Sequence, residues 1–174
     1  MPLPLQIALL ALTGTAAITD ARSRRIPNGL VVAGFAAGLA LNTWLAGWGG
    51  VQQSLMGFGL AALIYIPLFI LRAMSGGDVK LMAAAGSIVG PRDWFTLFIL
   101  ASIAGGAIAL GMLLTRRALG PAFGNVMHIL KELVHFRAPY KSNAALDVTS
   151  PKALTMPHGV AIAAGAVALL WTLH

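Results

Sequence analysis

Six charge-poor apolar runs dominate this chain, at residues 3–18, 30–45, 55–71, 79–89, 94–114 and 159–173. Helical runs of about 17–25 apolar residues match the roughly 30 Å hydrocarbon layer of a bilayer. In hydrocarbon each backbone N–H and C=O must be satisfied within its own segment, so runs of this length and character are helices. The expected fold class is all-α: a polytopic membrane protein with six transmembrane helices, in one domain over residues 1–174. The run at 79–89 is short for a full crossing and calls for tilt, local thinning or a start inside the bilayer. Composition agrees, with 58% hydrophobic residues and 10% charged ones. A soluble domain carries about 25% charged residues, and disorder needs low hydropathy with high charge. No basic stretch precedes the first run, so it reads as a span and not as a cleavable signal peptide.

The net charge of +7 is unevenly placed. Residues 20–28 hold Arg22, Arg24 and Arg25 against Asp20, and residues 72–80 hold Arg72 and Lys80 against Asp78. Residues 115–157 hold Arg116, Arg117, Lys131, Arg137, Lys141 and Lys152 against Glu132 and Asp147. These three segments carry the whole surplus, because 46–54 is uncharged and Arg92 cancels Asp93. Positive charge on alternate loops marks the cytoplasmic side, which puts both termini on the other side. The surplus therefore records topology and not nucleic-acid binding. Within the third segment, Phe123, Val126, Met127, Leu130, Leu133 and Val134 recur at helical spacing, opposite His128, Lys131, Glu132 and His135. That pattern predicts a cytoplasmic amphipathic helix near 121–137 lying in the interface plane. Residues 138–157, rich in Ser, Thr, Asn and Pro, read as a connector.

The chain has no cysteine, which excludes a disulfide framework, thiolate-bound zinc and a cysteine nucleophile. His128, Glu132 and His135 fall on one helical face. They suit the polar side of an interfacial helix as well as a metal site. No metal or cofactor is expected. Ser75 and Ser102 have no His–Asp partners placed by the sequence, which argues against a serine peptidase.

An ionisable residue at membrane depth is costly and is a functional candidate for that reason. Of the five acidic residues, Asp93 follows Pro91-Arg92 in a turn, Glu132 lies on a solvated face and Asp147 in the connector. Asp20 and Asp78 remain, each where an apolar run meets a cytoplasmic loop, so the topology places both on one side. Each also has a structural reading. Asp20 can simply end a helix beside three arginines, with Pro27 blocking continuation and Asn28 capping the next helix. Asp78, after Ser75-Gly76-Gly77, can cap the helix it precedes, with two glycines interrupting the one before. Paired, the two carboxylates cannot both ionise cheaply. One charged and one protonated carboxyl make a general base and a general acid for attack of water on an amide.

At these residues the chain resembles the type IV prepilin peptidases, intramembrane aspartic proteases of the GxGD type. The matching pieces are Asp20-x-Arg22-x-x-x-Ile26-Pro27-Asn28 and Gly76-Gly77-Asp78-Val79-Lys80-Leu81. A third piece, Pro157-His158-Gly159-Val160-Ala161-Ile162-Ala163, is similar to the stretch that opens the last helix in these enzymes. The resemblance implies a transmembrane peptidase of a bacterial inner membrane that removes leaders from prepilin and pseudopilin substrates on the cytoplasmic side. It makes Asp20 and Asp78 the catalytic pair. Arg22 and Lys80 become their electrostatic neighbours, while Pro27, Asn28, Ser75, Gly76 and Gly77 shape the loops. Ser75 stands where the motif has its first Gly, and His158 stands where an aromatic Tyr is expected. Longer relatives carry a zinc-binding Cys cluster and methylate the product. This chain resembles the minimal peptidases of Flp (Tad) pilus systems, for which methyl transfer is not expected. Competing readings are an ion- or proton-coupled transporter, which usually shows inverted repeats that this sequence lacks, and an inactive scaffold of a secretion assembly.

Overall fold

The computed structural model describes residues 1–135, 137, 139, 146 and 156–173. The expected connector at 138–157, with Asp147, lies almost wholly outside them. Among the described residues there is no strand. The helices are α1 (Leu3–Ser23), α2 (Asn28–Ile70), α3 (Gly76–Thr115), α4 (Leu119–Val134) and α5 (His158–Thr172). Three of them, α1, α2 and α3, are long and apolar enough to cross a membrane, and α5 is a shorter apolar helix.

Six apolar runs thus fall on fewer helices than expected. The runs at 30–45 and 55–71 both belong to α2, and those at 79–89 and 94–114 both belong to α3. The reason is that each pair is joined by a break of only one or two residues, after which helical hydrogen bonding resumes. A straight α2 of 43 residues would be about 64 Å long, twice the hydrocarbon thickness. Instead Ala46 and Gly47 leave the helical region, Gly47 with φ 56° and ψ −134°. A side chain rarely tolerates that conformation, and glycine does. The chain folds back there. Phe35 and Phe58, one on each side of the break, have ring centroids 4.9 Å apart. A straight helix would hold them about 35 Å apart.

The break in α3 is at Gly90, φ 75° and ψ 173°, immediately before Pro91. It too turns the chain back, since the Trp94 indole N–H donates to the Met82 carbonyl at 3.1 Å. Pro91 has no N–H, so the carbonyl of Ser87 loses the donor that a helix would supply. Asn42 of α2 replaces it. Its side-chain amide donates to Ser87 O at 3.0 Å and Ile88 O at 3.1 Å, as well as to Gly38 O at 2.9 Å.

The segment before Gly90 is the centre of the molecule. Leu81, Met82, Ala84, Ala85, Ser87 and Ile88 are fully buried. This explains why the apolar run at 79–89 is so short: protein surrounds it on all sides. Helices approach it through small residues, the usual packing device where lipid removes the hydrophobic drive for association. Gly57 of α2 and Gly86 of α3 lie backbone to backbone, and a Cβ on either would collide with the other's carbonyl. Trp94 and Phe98 stack at 5.6 Å, with Tyr65 edge-on to both at 6.1 and 5.9 Å.

Asp93, expected in a turn, is helical within α3. The turn is shorter than the Pro-Arg-Asp string suggests, because Pro91 is itself acceptable in the first turn of a helix. The amphipathic helix expected near 121–137 is α4, shifted slightly toward the N-terminus. Phe123, Val126, Met127, Leu130 and Val134 form its exposed apolar face.

Replacing Asn42 by Leu keeps the volume but leaves the Ser87 and Ile88 carbonyls without a donor. We expect a loss of about 1–3 kcal/mol, measured as unfolding in detergent. Thr43→Val, which removes only an exposed bond to Leu39 O, should change stability by less than about 0.5 kcal/mol.

Candidate active site

Helix α1 continues past residue 18 to Ser23, so Asp20 belongs to its last turns and not to the following loop. It sits on the buried stripe formed by Leu5, Leu9, Leu12, Thr13 and Ala16, at helical spacing. The packing that buries those residues buries Asp20 as well, to 7% exposure. Arg24 then ends the helix in the left-handed conformation, φ 53°, donating its N–H to the Asp20 carbonyl at 2.9 Å. Ile26, in the turn that follows, packs against the core.

Asp78 enters from the start of α3 and is 8% exposed. Ser75 is the N-cap of this helix. Its hydroxyl accepts from the Asp78 N–H at 3.4 Å and is 2.9 Å from Asp78 Oδ2, to which it can donate. The serine that departs from the glycine motif therefore has a use: it caps the helix and holds the carboxyl. The glycines differ from expectation. Gly76 and Gly77 begin α3 instead of interrupting it, and neither has a positive φ. Ser75 supplies the change of direction, in extended conformation. What the glycines leave open is space, since a Cβ on Gly77 would touch Ile26 at 3.4 Å and one on Gly76 would touch Phe69 at 3.4 Å.

The third element is the N-terminus of α5. The backbone N–H of Gly159 donates to Asp20 Oδ2 at 2.8 Å, in a buried position. A Cβ on Gly159 would lie 3.0 Å from Asp20 Cβ, 3.1 Å from its Oδ2 and 3.2 Å from the Ala16 carbonyl. Such crowding explains the glycine in Pro157-His158-Gly159: only a residue without a side chain lets the helix end reach the carboxylate. Next to it, His158 is half-buried. Asp78 is within electrostatic reach of both Asp20 and His158, so α1, α3 and α5 meet at one point. Tyr65 of α2, only 2% exposed, lies within electrostatic reach of Asp78 as well.

Tyr65 and Gly159 were not among the expected site residues. Tyr65 gives no signal in the sequence, because a lone Tyr in an apolar run reads as core. Gly159 lay within a matching motif, but a backbone N–H has no residue-type signature. Of the expected residues, Asp20, Asp78 and Ser75 come together. Lys80 and Asn28 form a separate contact, with the Lys80 ammonium donating to Asn28 Oδ1 at 3.1 Å on the exposed surface. Asn28 is consequently not a helix cap: Pro27 holds that position and Asn28 is the first residue of α2. Proline's fixed φ already suits the capping position, which frees the Asn28 side chain for the lysine. Arg22 and Pro27 are exposed. Among the described residues no three His, Asp or Glu side chains are grouped to hold a metal ion. Just past the end of α4, the His135 ring meets the Lys131 carbonyl at 2.7 Å.

A buried carboxyl pair of this kind can transfer protons to and from an amide and a water. Comparison with known proteins bears on which family provides such a site. No curated protein and no solved structure matches the chain. The model of one family, described as the type IV leader peptidase family, matches residues 7–110. The match takes in most of α1, all of α2 and most of α3, including both aspartates and the turns beside them. Extending over more than half of the chain, it shows that this membrane protein belongs to the type IV leader peptidase family.

Proposed function

We propose that the protein is an intramembrane aspartic endopeptidase that removes the leader from pilin precursors on the cytoplasmic side of the membrane, serving an Flp (Tad) type pilus. The observation that carries this reading is the meeting of two buried carboxyls, Asp20 and Asp78, from the end of α1 and the start of α3. Family membership supports peptidase chemistry, and the carboxyl pair supports the aspartic type. Such a pair shares one proton. The charged member takes a proton from water as its oxygen attacks the scissile carbonyl carbon. The protonated member gives its proton to the carbonyl oxygen. Collapse of the resulting diol breaks the C–N bond and returns a proton to the departing amine.

The breaks at Ala46–Gly47 and Gly90 support six crossings, with α2 and α3 each passing the bilayer twice and α1 and α5 once. The segments 20–28, 72–80 and 115–157 then face the cytoplasm, following their positive charge. The apolar face of α4 lies on the cytoplasmic lipid surface. A substrate whose own apolar helix lies in the same bilayer presents its leader junction at the depth of Asp20 and Asp78. The cytoplasmic location of the surplus charge and the absence of Cys fit a minimal enzyme without methyl transfer.

Three measurements test this. Asp20→Asn and Asp78→Asn should each lower leader cleavage of a co-expressed prepilin by about 10³-fold or more, and the double variant should be hardly worse than either. Membrane insertion should be retained, and Asp93→Asn should cleave normally. Substantial cleavage by either Asn variant would falsify the pair. A chelator should leave the rate unchanged, as neither carboxyl is assigned to a metal. For orientation, a cysteine at Ser23, exposed at the end of α1, should react with an impermeant thiol reagent only in inverted vesicles. Reaction from the outside would reverse the topology.

A further inference from the structure

The two carboxyls are held by different kinds of group, and the difference is chemical. Asp20 Oδ2 accepts from a backbone N–H, that of Gly159, at 2.8 Å in a buried position. A peptide N–H can only donate, so that oxygen has to accept, and an ionised carboxylate accepts more strongly than a neutral carboxyl. Asp78 Oδ2 faces the hydroxyl of Ser75 at 2.9 Å. A hydroxyl rotates and serves as donor or acceptor, so that oxygen can equally carry a proton and give it to Ser75. Helix α5 adds to the asymmetry. It is 15 residues long, and the N–H of its second residue, Gly159, meets Asp20 at the helix N-terminus, where a helix favours negative charge. Asp78 sits in the first turn of its own helix but is tied to it through the side chain of the cap and its own N–H.

We infer that Gly159 is a positioning residue that sorts the pair: it fixes Asp20 as the ionised, proton-accepting member and leaves the shared proton on Asp78. The assignment rests on the aspartic peptidase reading and makes it directional. In the forward step a water O–H bond breaks, its proton passes to the Asp20 carboxylate, and the water oxygen bonds to the carbonyl carbon. The Asp78 proton passes to the carbonyl oxygen. On collapse the C–N bond breaks, Asp20 returns its proton to the amine nitrogen, and Asp78 recovers its own from one diol hydroxyl. Both carboxyls regain their starting states, so no external acid or base is required. Among the described residues, His158 on α5 and Tyr65 on α2 are within electrostatic reach of Asp78. A charged His158 would favour the opposite assignment, with Asp78 as the anion, and so belongs in the test.

The test uses the full-length protein in lipid nanodiscs, with aspartate labelled at the side-chain carboxyl with ¹³C, and reads the infrared C=O band of protonated carboxyls. One such band is expected in the unmutated protein. It should vanish in Asp78→Asn, shift in Ser75→Ala, shift or broaden in Gly159→Ala, where a Cβ crowds Asp20 and disturbs the bond that sorts the pair, and stay in place in His158→Gln. A shift of the band in His158→Gln, an unchanged band in Gly159→Ala, its survival in Asp78→Asn, or its absence from the start would each overturn the assignment. Cleavage kinetics supply the second readout. Gly159→Ala pushes a Cβ against Asp20, and kcat should fall about 10–100-fold with KM within about twofold, the signature of a misplaced reacting group. Gly106→Ala, on α3 with open space at the new Cβ, should behave as the unmutated protein. If Gly159→Ala raises KM and leaves kcat intact, Gly159 serves substrate binding and the proposal fails. The infrared result needs no substrate. A protein that shows the expected bands yet cleaves no prepilin would therefore refute the peptidase reading while leaving the sorted pair standing.

Discussion

Hydrocarbon offers a backbone nothing to bond with, and this constraint shapes the molecule more than any side-chain contact. Wherever α2 and α3 turn back, the freed carbonyls and N–H groups have to find partners inside the protein. Pro91 makes the demand acute by deleting the donor for Ser87 O, and the Asn42 amide answers it from the other helix. The same contact locks the first half of α2 onto the middle of α3. Gly57 and Gly86 then bring the second half of α2 against the same place. With α3 clamped from both sides, its buried first segment becomes a fixed post, and Asp78 stands at the top of it.

Much of this was legible in the sequence, and the parts that were not have physical reasons. Apolar runs and loop charges are properties of whole segments, so the helical runs and the amphipathic α4 could be read from them, whereas the one- or two-residue breaks inside α2 and α3 read as turns between separate helices. The two aspartates stood out because charge at membrane depth is rare. Helix ends were less legible: Asp20 falls inside α1 because its buried stripe continues past the point where hydropathy drops. The glycines before Asp78 suggested a broken helix, yet they start one, since glycine permits unusual backbone without requiring it. Asn28 was read as a cap because asparagine commonly is one. Here a lysine from a distant segment claims its side chain, and no local pattern announces that.

Gly159 illustrates a different limit. Residue types advertise side-chain chemistry, whereas this residue contributes a backbone N–H and the absence of a side chain. Its role becomes visible only when α5 is set against Asp20. Tyr65 was hidden for the converse reason, as its ring is an ordinary member of an aromatic cluster with Trp94 and Phe98. Only its proximity to Asp78 separates it from core. Both cases show that a site assembled from helix ends depends on packing distances that composition does not encode.

The bond from Gly159 to Asp20 spans 139 positions of the chain. In a protein made and inserted from its N-terminus, α1 delivers Asp20 before α3 delivers Asp78, and α5, which orders the pair, follows both. Until α5 docks, Asp20 lacks its buried donor, and the two carboxyls have no fixed division of labour. Placing the ordering group on α5 means that the pair can be set in order only after α1 and α3 have both been made.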